Sequence, residues 1–279
     1  MLLSRPPQNP ALAPFVESVW TQQAELPHRF ERVLPSGRMQ VFVNLADDVF
    51  SEITCDGRVQ QRVRGAVFQG VRTRPVIIET VQQRDVCGVS FAVAGAWPFL
   101  RLPAHETCGK LVELSDVWGP SAGHLRQRLG EAATASERLE VLEAVLLEHL
   151  ASDAPDRSLD VACRRLASGA PIRSVGDELG LSPRQLMALF RDCVGVGPKT
   201  WARLARFNAV LAEVSASTKW VDLALRHGFS DQAHLVREFG VFAGTSPTAY
   251  VPRGPDDRRH VVVPERLFSS RPASGRSSQ

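Results

Sequence analysis

The chain has 279 residues, of which 44% are hydrophobic, and its formal net charge is only +3. This length and apolar content suit two globular domains, each large enough to bury a core of its own. Prolines interrupt the start of the chain, and no run approaches the roughly 18 apolar residues of a membrane span, so we expect a cytoplasmic protein without a membrane partner. The five scattered cysteines lack metal-ligand or redox spacing, and we expect reduced thiols.

Short strand-like runs, separated by turn residues, occupy the region from Phe30 to about Phe91. They are rich in β-branched and aromatic residues, which is the composition of strands. The runs are 39–45, 62–68, 75–81 and 86–92. Regular short strands joined by turns predict a small β-sandwich or β-barrel.

Helical periodicity returns from Ser121, and an apolar stripe runs through residues 137–150. Its members recur at the spacing of one helix face. They are Leu139, Leu142, Val145, Leu146 and Leu150. Two interpretations stand: the stripe packs on the protein's own β-domain, or it pairs two protomers.

The C-terminal third contains one short pattern written twice, over residues 180–198 and 228–247. Within each copy, a serine follows the first glycine by two residues. A glycine and a proline then follow a phenylalanine by five and eight residues. The duplication predicts two helix-turn-helix units in one domain, and therefore DNA binding.

Each copy carries the start signal of a helix. Ser182 is a predicted N-cap, and Pro183 suits the first helical position. In the second copy Ser230 or Asp231 takes the capping role. We predict that Gly195 ends the first recognition helix in the left-handed conformation.

Three more helices are predicted around these units. One covers 174–179 with Ser174 as its cap, and another covers about 220–226. Between the units, Pro198 opens a longer helix that runs through Leu211. Because this helix is rigid, it sets the distance between the two recognition helices. For two helices on one face of B-DNA this distance should be about 34 Å.

These residues resemble the AraC/XylS-type transcriptional regulators over about 157–251. The matching segments are 181–191, 195–198, 206–207, 224–239 and 244–247. The resemblance implies an all-α domain of about seven helices, with two helix-turn-helix units in adjacent major-groove segments of promoter DNA. One position departs from the family: Ala188 stands where an arginine is common, which puts a base contact from that position in doubt.

A second resemblance concerns the N-terminal half. Residues 15–20, 32–37 and 88–99 are similar to the cupin-like domains carried by a subgroup of these regulators. The resemblance implies a β-barrel or sandwich with flanking helices that senses an effector or dimerises. Regulators of this architecture often associate through such helices, so we favour a homodimer through residues 137–150.

The chain is therefore divided into four predicted parts. They are a cupin-like domain (1–150), a linker (151–156), a DNA-binding domain (157–251) and a disordered tail (252–279). Charge supports the division: residues 1–155 carry 15 Lys and Arg against 18 Asp and Glu, and the remainder carries 18 against 12, giving −3 and +6. Neutralising DNA phosphates requires a locally basic surface.

We expect the exposed faces of the two recognition helices to contact DNA. Arginine favours guanine, glutamine favours adenine, and apolar side chains meet thymine methyl groups. The predicted base-reading residues are Arg184, Gln185, Met187, Ala188, Gln232, Ala233, Val236 and Arg237. The predicted phosphate contacts are Ser182, Arg191, Lys199 and Ser230.

A small-molecule effector is expected in the N-terminal domain, because aromatic residues line apolar pockets and arginines bind acids. The same residues also fit a core or a solvated surface. The candidates are Trp20, Arg32, Arg38, Phe42, Phe91 and Trp97. No His-x-His pair, nucleophile signature or phosphate loop is found, so we predict no catalysis, no metal and no cofactor.

The sequence therefore predicts a sequence-specific DNA-binding transcriptional regulator. Its expected partners are double-stranded promoter DNA, an effector and, in an activator, RNA polymerase. The alternative is a cupin-like ligand-binding or enzymatic module with an accessory DNA-binding domain.

Overall fold

Two antiparallel sheets form the N-terminal half of the computed structural model, which describes residues 1–54, 57–100, 102–151, 157–215, 218–254, 257–265 and 268. One sheet has the strand order β1-β2-β9-β4-β7-β10, and the other has the order β11-β3-β8-β5-β6. The strands are β1 (Leu2–Arg5), β2 (Val16–Gln23), β3 (Phe30–Val33), β4 (Gln40–Asn44), β5 (Val49–Ile53), β6 (Val59–Arg64), β7 (Ala66–Gln69), β8 (Val76–Glu79), β9 (Asp85–Phe91), β10 (Leu111–Glu113) and β11 (His260–Val263).

This arrangement confirms the predicted sandwich. The run 62–68 is two strands, β6 and β7, because Gly65 between them adopts a positive φ of 69°. Alternating side chains of the strands face the core: Val41 and Val43 on β4 are fully buried, while Gln40 and Phe42 are only partly buried. Period-two burial of this kind is what a sheet with one covered face produces.

Three helices cover the six-stranded sheet: α1 (Leu114–Trp118), α2 (Ser121–Glu131) and α3 (Ala135–His149). The start of α3 is a capping box, in which Thr134 accepts from the backbone N–H of Glu137 and the Glu137 side chain accepts in return. Helix α3 packs against β2 and β9. Its apolar stripe is therefore used inside the protomer, which is the first of the two interpretations above. These buried side chains are not available to a partner, so a homodimer through residues 137–150, which stays a prediction, would have to use the exposed face of the helix.

The helical domain follows, and its predicted character is confirmed. Its described elements are α4 (Arg157–Ala167), α5 (Ile172–Leu179), α6 (Pro183–Val194), α7 (Pro198–Glu213), α8 (Trp220–Arg226), α9 (Gln232–Ala243) and a 3-10 helix (Pro247–Ala249). One detail differs: α5 begins at Ile172 after Pro171, so Ser174 lies inside the helix and is not its cap.

The predicted disorder of the tail is wrong for residues 260–263. They form β11, which pairs antiparallel with β3 at the edge of the five-stranded sheet. Composition could not show this, because two short apolar strands pair only when the fold brings them together. Residues 269–279 lie outside the described residues.

The sandwich and the helical domain share one continuous apolar core. Gly37, in the turn before β4, is one point of close approach. A β-carbon there would lie 3.2 Å from the ring of Trp201 and 3.4 Å from the side chain of Leu204, both on α7. A 3-10 helix at Ala104–Thr107 packs against α6 in the same way.

Replacing Leu142 tests the packing of α3. Leu142→Ala is expected to lower the free energy of unfolding by about 2–5 kcal/mol, because it leaves a cavity against the sheet. Leu147→Ala on the same helix is the control, since Leu147 is 37% exposed and Leu142 is 1% exposed. For the control we expect a change within about 1 kcal/mol. Urea denaturation at two protein concentrations measures both; a loss that depends on concentration would contradict packing within one protomer.

Candidate DNA-binding surface and interdomain cavity

The first helix-turn-helix unit consists of α5 and α6. Gly180 joins the two helices in the left-handed conformation, with φ 66°. Ser182 caps α6 by accepting from the backbone N–H of Gln185, and the side chain of Gln185 accepts in return from the N–H of Ser182 at 2.9 Å. Gly195, with φ 87°, ends the helix as predicted. Local sequence signals therefore define both ends of this recognition helix.

The second unit consists of α8 and α9 and has the same outline with different chemistry. Asp231 is the cap of α9 and accepts from the N–H of His234. The hydroxyl of Ser230 lies 3.1 Å from a carboxylate oxygen of Asp231 and 3.2 Å from Nδ1 of His234. Gly244 ends the helix with φ 64°. Of the two residues proposed as the cap, Asp231 fills that role.

All eight predicted base-reading residues are exposed on the two recognition helices. The opposite faces are buried through Leu186 and Phe190 on α6 and through Leu235 and Phe239 on α9. Each helix therefore presents one face that intramolecular packing leaves accessible, as an element that enters a major groove requires.

The capping interactions change what some of these residues can offer. The side-chain oxygen of Gln185 is held by Ser182, which leaves its amide nitrogen as the group directed outward. The hydroxyls of Ser182 and Ser230 are both engaged at their helix starts. Arg191 and Lys199 are exposed and keep the long cationic side chains that suit phosphates.

Helix α7 connects the two units and holds the second one from two sides. Arg203 forms a two-pronged ion pair with Glu238 on α9, with distances of 2.7 and 2.8 Å. The hydrogen bond from Arg203 lowers the pKa of Glu238 despite partial burial. Arg206 donates to the carbonyl of Gly228 at 3.2 Å and lies 5.2 Å from the centre of the Phe229 ring. Helix α7 has 16 residues, which span roughly 24 Å at about 1.5 Å of rise per residue.

A cavity of about 780 Å³ lies between the sandwich and the helical domain. Trp20, Phe42 and Phe50 contribute aromatic walls from the sheets. Cys163 on α4 and Asn208 on α7 contribute from the helical side. Burial raises the pKa of the Cys163 thiol to about 12, so this group is a neutral part of the wall.

Arg38, Arg164 and Arg259 bring positive charge to this cavity, and Arg164 is paired with Asp160 on the same helix. Arg38 donates to Glu17 at 2.8 Å, and Arg259 donates to the side chain of Asn208. Burial, followed by the charge of Arg38, lowers the pKa of Arg259. Arg38 and Arg259 line the same cavity, and an anion bound between their guanidinium groups would be stabilised by both.

A buried ion pair lies at the other end. Arg72 and Glu52 are both almost fully buried and hydrogen-bonded to each other. Burial raises the pKa of Glu52 even though Arg72 opposes the shift, and burial lowers the pKa of Arg72. Such a pair stays charged only because each member neutralises the other.

Half of the predicted effector residues line this cavity. Trp20, Arg38 and Phe42 do so. Phe91 lies instead in the sandwich core, 5.2 Å from the ring centre of Phe99, and Trp97 packs against the same core from a 3-10 helix. These two residues are not cavity-lining, because inward-facing aromatics of a sandwich fill its core.

Arg32 is also absent from the cavity wall. It lies on β3 beside Gly244, the end of the second recognition helix. Among the described residues, its buried Nε has no hydrogen-bond partner. Sequence reasoning missed Arg72 and Arg259, since nothing local distinguishes either from a solvated arginine.

Comparison with known proteins agrees with the C-terminal assignment. Residues 175–253 match a family model described as a helix-turn-helix domain. The C-terminal domain is an AraC-type helix-turn-helix domain. Residues 4–113 match a domain of unknown function (DUF6597). No curated protein matches the chain.

Three solved structures of ToxT from Vibrio cholerae are similar in fold. The P21 form is 7% identical with a TM-score of 0.46, covering 89% of this chain and 97% of that chain. The unsaturated fatty acid bound wild type is 11% identical with a TM-score of 0.45, covering 89% and 94%. The protein from strain O395 is 9% identical with a TM-score of 0.45, covering 89% and 96%. Likeness this distant carries no information about a ligand of this chain.

None of the described helices is long and apolar enough to cross a membrane. Within the same residues, no group of three or more His, Cys, Asp or Glu side chains could hold a metal ion.

Breaking the buried ion pair is expected to destabilise the fold. Arg72→Met should lower the free energy of unfolding by about 3–5 kcal/mol at neutral pH, because Glu52 is left charged and unpaired. The pKa of Glu52 in this variant stands above its unfolded value, so the loss grows as pH rises and shrinks as pH falls. Urea denaturation across the acidic range measures the trend.

A matched control is available on the surface. Arg29→Met breaks an ion pair with Glu79 in which the arginine side chain is 62% exposed. We expect it to change stability by less than about 1 kcal/mol. Equal losses in the two variants would contradict the role given to burial of Arg72.

Proposed function

We propose that this protein is a transcriptional regulator that reads adjacent major-groove segments of promoter DNA with α6 and α9. Its helix-turn-helix domain already indicates a DNA-binding regulator of the AraC type. One observation supports the finer proposal: two recognition helices, each with a side-chain cap at its start and a left-handed glycine at its end, each present an exposed, unpacked face. A single rigid helix, α7, joins them.

Separate roles are proposed for the exposed side chains. Arg184 and Arg237 have the length and donor geometry to reach guanine edges, and Gln232 to reach adenine. Met187, Ala188, Ala233 and Val236 supply apolar contacts, and Gln185 offers its amide nitrogen. Arg191 and Lys199 contact phosphates, which positions the domain without reading sequence. Ser182 and Ser230 act through the helix starts that they stabilise.

The cavity supports an effector function. Aromatic walls and two neighbouring arginines, Arg38 and Arg259, suit a small organic acid with an apolar body. The walls come from both domains, so a ligand there would contact the sandwich and the DNA-binding domain together. The cavity therefore favours a regulator that responds to such an acid over the alternative, an enzymatic module with an accessory DNA-binding domain.

Cellular roles follow from this proposal. The protein would act in the cytoplasm at the nucleoid, by binding rather than by catalysis. As an activator it would also contact RNA polymerase. A homodimer, if formed, uses a surface other than the buried stripe of α3.

The test of DNA reading is an in-vitro selection of duplexes from a random pool with the full chain at near-physiological salt. We expect enrichment of two specified segments about 10 base pairs apart. Enrichment of one segment would show that only one helix reads bases. No enrichment with the full chain or with residues 151–279 would overturn the proposal.

Two arginine variants separate base reading from phosphate contact. Arg237→Ala should cost roughly 1–3 kcal/mol at one base position and relax the preference there. Arg191→Ala should weaken all sequences alike and make the salt dependence shallower by about one counterion. Binding titrations with the selected duplex and its single-base variants, at several salt concentrations, measure both. A uniform loss for Arg237→Ala would make it a phosphate contact.

An aromatic anion tests the cavity. Anilinonaphthalene sulfonate fluoresces in apolar sites, and we expect one cavity-bound molecule per chain. Arg38→Gln and Arg259→Gln should each weaken its binding by about tenfold or more, because each removes a charged hydrogen-bond donor. Arg29→Gln, at a surface site away from the cavity, is the control. Equal affinity in all four proteins would show that the probe binds elsewhere.

A further inference from the structure

The segment after the helical domain returns to the sandwich. Residues 257–263, here called the C-terminal strap, include β11, whose register against β3 runs from His260 opposite Val33 to Val263 opposite Phe30. The strap therefore completes a sheet that otherwise belongs to the N-terminal domain. Arg253, before the strap, is held as well, since its N–H donates to the carbonyl of His260 at 2.7 Å.

A buried carboxylate holds this connection. Glu31 on β3 is fully buried, with 0% exposure. Arg253, which follows the last helix of the DNA-binding domain, donates to both of its oxygens at 2.9 and 3.0 Å. Gln83 donates to one oxygen at 2.7 Å, and Nε2 of His28 lies 2.6 Å from the other. Removing the only arginine in this set would leave a buried negative charge poorly compensated.

The strap also reaches the helical domain and the cavity. The N–H of Leu34 donates to the carbonyl of Arg259 at 2.8 Å, and the side chain of Arg259 donates to Asn208 on α7. Arg258 donates to the carbonyl of Leu211 near the end of the same helix at 3.3 Å. Seven residues thus contact the sheet, α7 and the cavity wall at once.

The ends of both recognition helices rest on the sandwich. A β-carbon on Gly195 would lie 3.3 Å from the carbonyl oxygen of Ala104, and one on Gly244 would lie 3.0 Å from Pro75. The duplicated capping glycine is therefore a docking point in both copies. These contacts add to the continuous apolar core, and beside the first of them His105 lies 3.5 Å from Asp192 on α6.

We propose that the C-terminal strap is a latch between the two domains, with Glu31 and Arg253 as its lock. The latch holds the DNA-binding domain against the sandwich, so that Gly195 stays in contact with Ala104 and Gly244 with Pro75. Arg259 is part of both the strap and the cavity wall. A ligand that binds Arg259 in the cavity therefore acts on the latch. The link to gene regulation rests on the proposed function, whereas the latch itself does not.

Hydrogen exchange of the full chain tests the lock. In Arg253→Met the amides of Leu34 and of β11 should exchange about tenfold faster or more, because the strap detaches without global unfolding. Amides in the middle of β9 should keep their wild-type rates. The control is Arg29→Met, which breaks an exposed ion pair near the start of the same strand, β3, and should leave all these rates unchanged. Wild-type protection of β11 and Leu34 in Arg253→Met would overturn the proposal.

A second variant guards against misfolding. E31Q/R253M removes both charges of the lock, while Asp257, which also loses Arg253, is 27% exposed and keeps His260 as a partner, so we expect this variant to fold even if the single variant does not. Its β11 and Leu34 amides should still exchange faster than in the wild type. Retained protection in this variant would show that β-pairing alone holds the strap, and the lock would be rejected.

Calorimetry measures the coupling of the domains. The wild type should unfold in one cooperative transition, and E31Q/R253M should show two separable transitions, one for each domain. A single transition in both proteins would mean that the shared core alone couples the domains, which contradicts the latch. Failure of the wild type to select DNA would overturn the proposed function but leave these readouts intact, so the two failures are distinguishable.

Discussion

One apolar core that continues from the sandwich into the helical domain is the constraint on which the rest of this structure depends. Trp201 and Leu204 of α7 reach across to Gly37, where any larger side chain would force the domains apart. Because α7 also carries Arg203 and Arg206, the residues that hold the second reading unit, the same helix serves both purposes. Its inner face joins the domains, and its outer face positions a recognition helix.

The two reading units show how one backbone plan tolerates different polar chemistry. One helix starts with a serine and a reciprocal glutamine, and the other starts with an aspartate. Both solutions satisfy free N–H groups at a helix start, so both keep the recognition helix regular up to its first exposed residue. What differs is the charge near DNA: the pKa of Asp231 is lowered, chiefly by the hydrogen bond from the His234 backbone, so it stays anionic. The second unit therefore carries a fixed negative charge where the first carries none.

Two sets of charged side chains are withdrawn from water, one in the sandwich beside the cavity and one between β3 and the segment that follows the helical domain. Glu31, Glu52 and Arg72 are buried and Arg259 is partly buried, and each is held by a partner from a different element. Such groups add little net stability, but they penalise any arrangement that separates them. They therefore give the interface a defined geometry, which the apolar core by itself would not specify. The cavity is bounded by these groups, so its shape depends on the same geometry.

The amino-acid sequence alone was sufficient for the DNA-binding units and for the class of the N-terminal domain. Helix caps, capping glycines such as Gly195 and apolar stripes such as that of α7 act over a few residues, so they can be recognised without knowing the fold. The partner of the α3 stripe, the strap and the cavity could not be recognised in this way. Glu31 meets Arg253, and Arg38 meets Arg259, only after the chain has folded, because each pair comes from opposite ends of the chain. A long-range contact between two ordinary residues leaves no local pattern, and only the tertiary structure decides it.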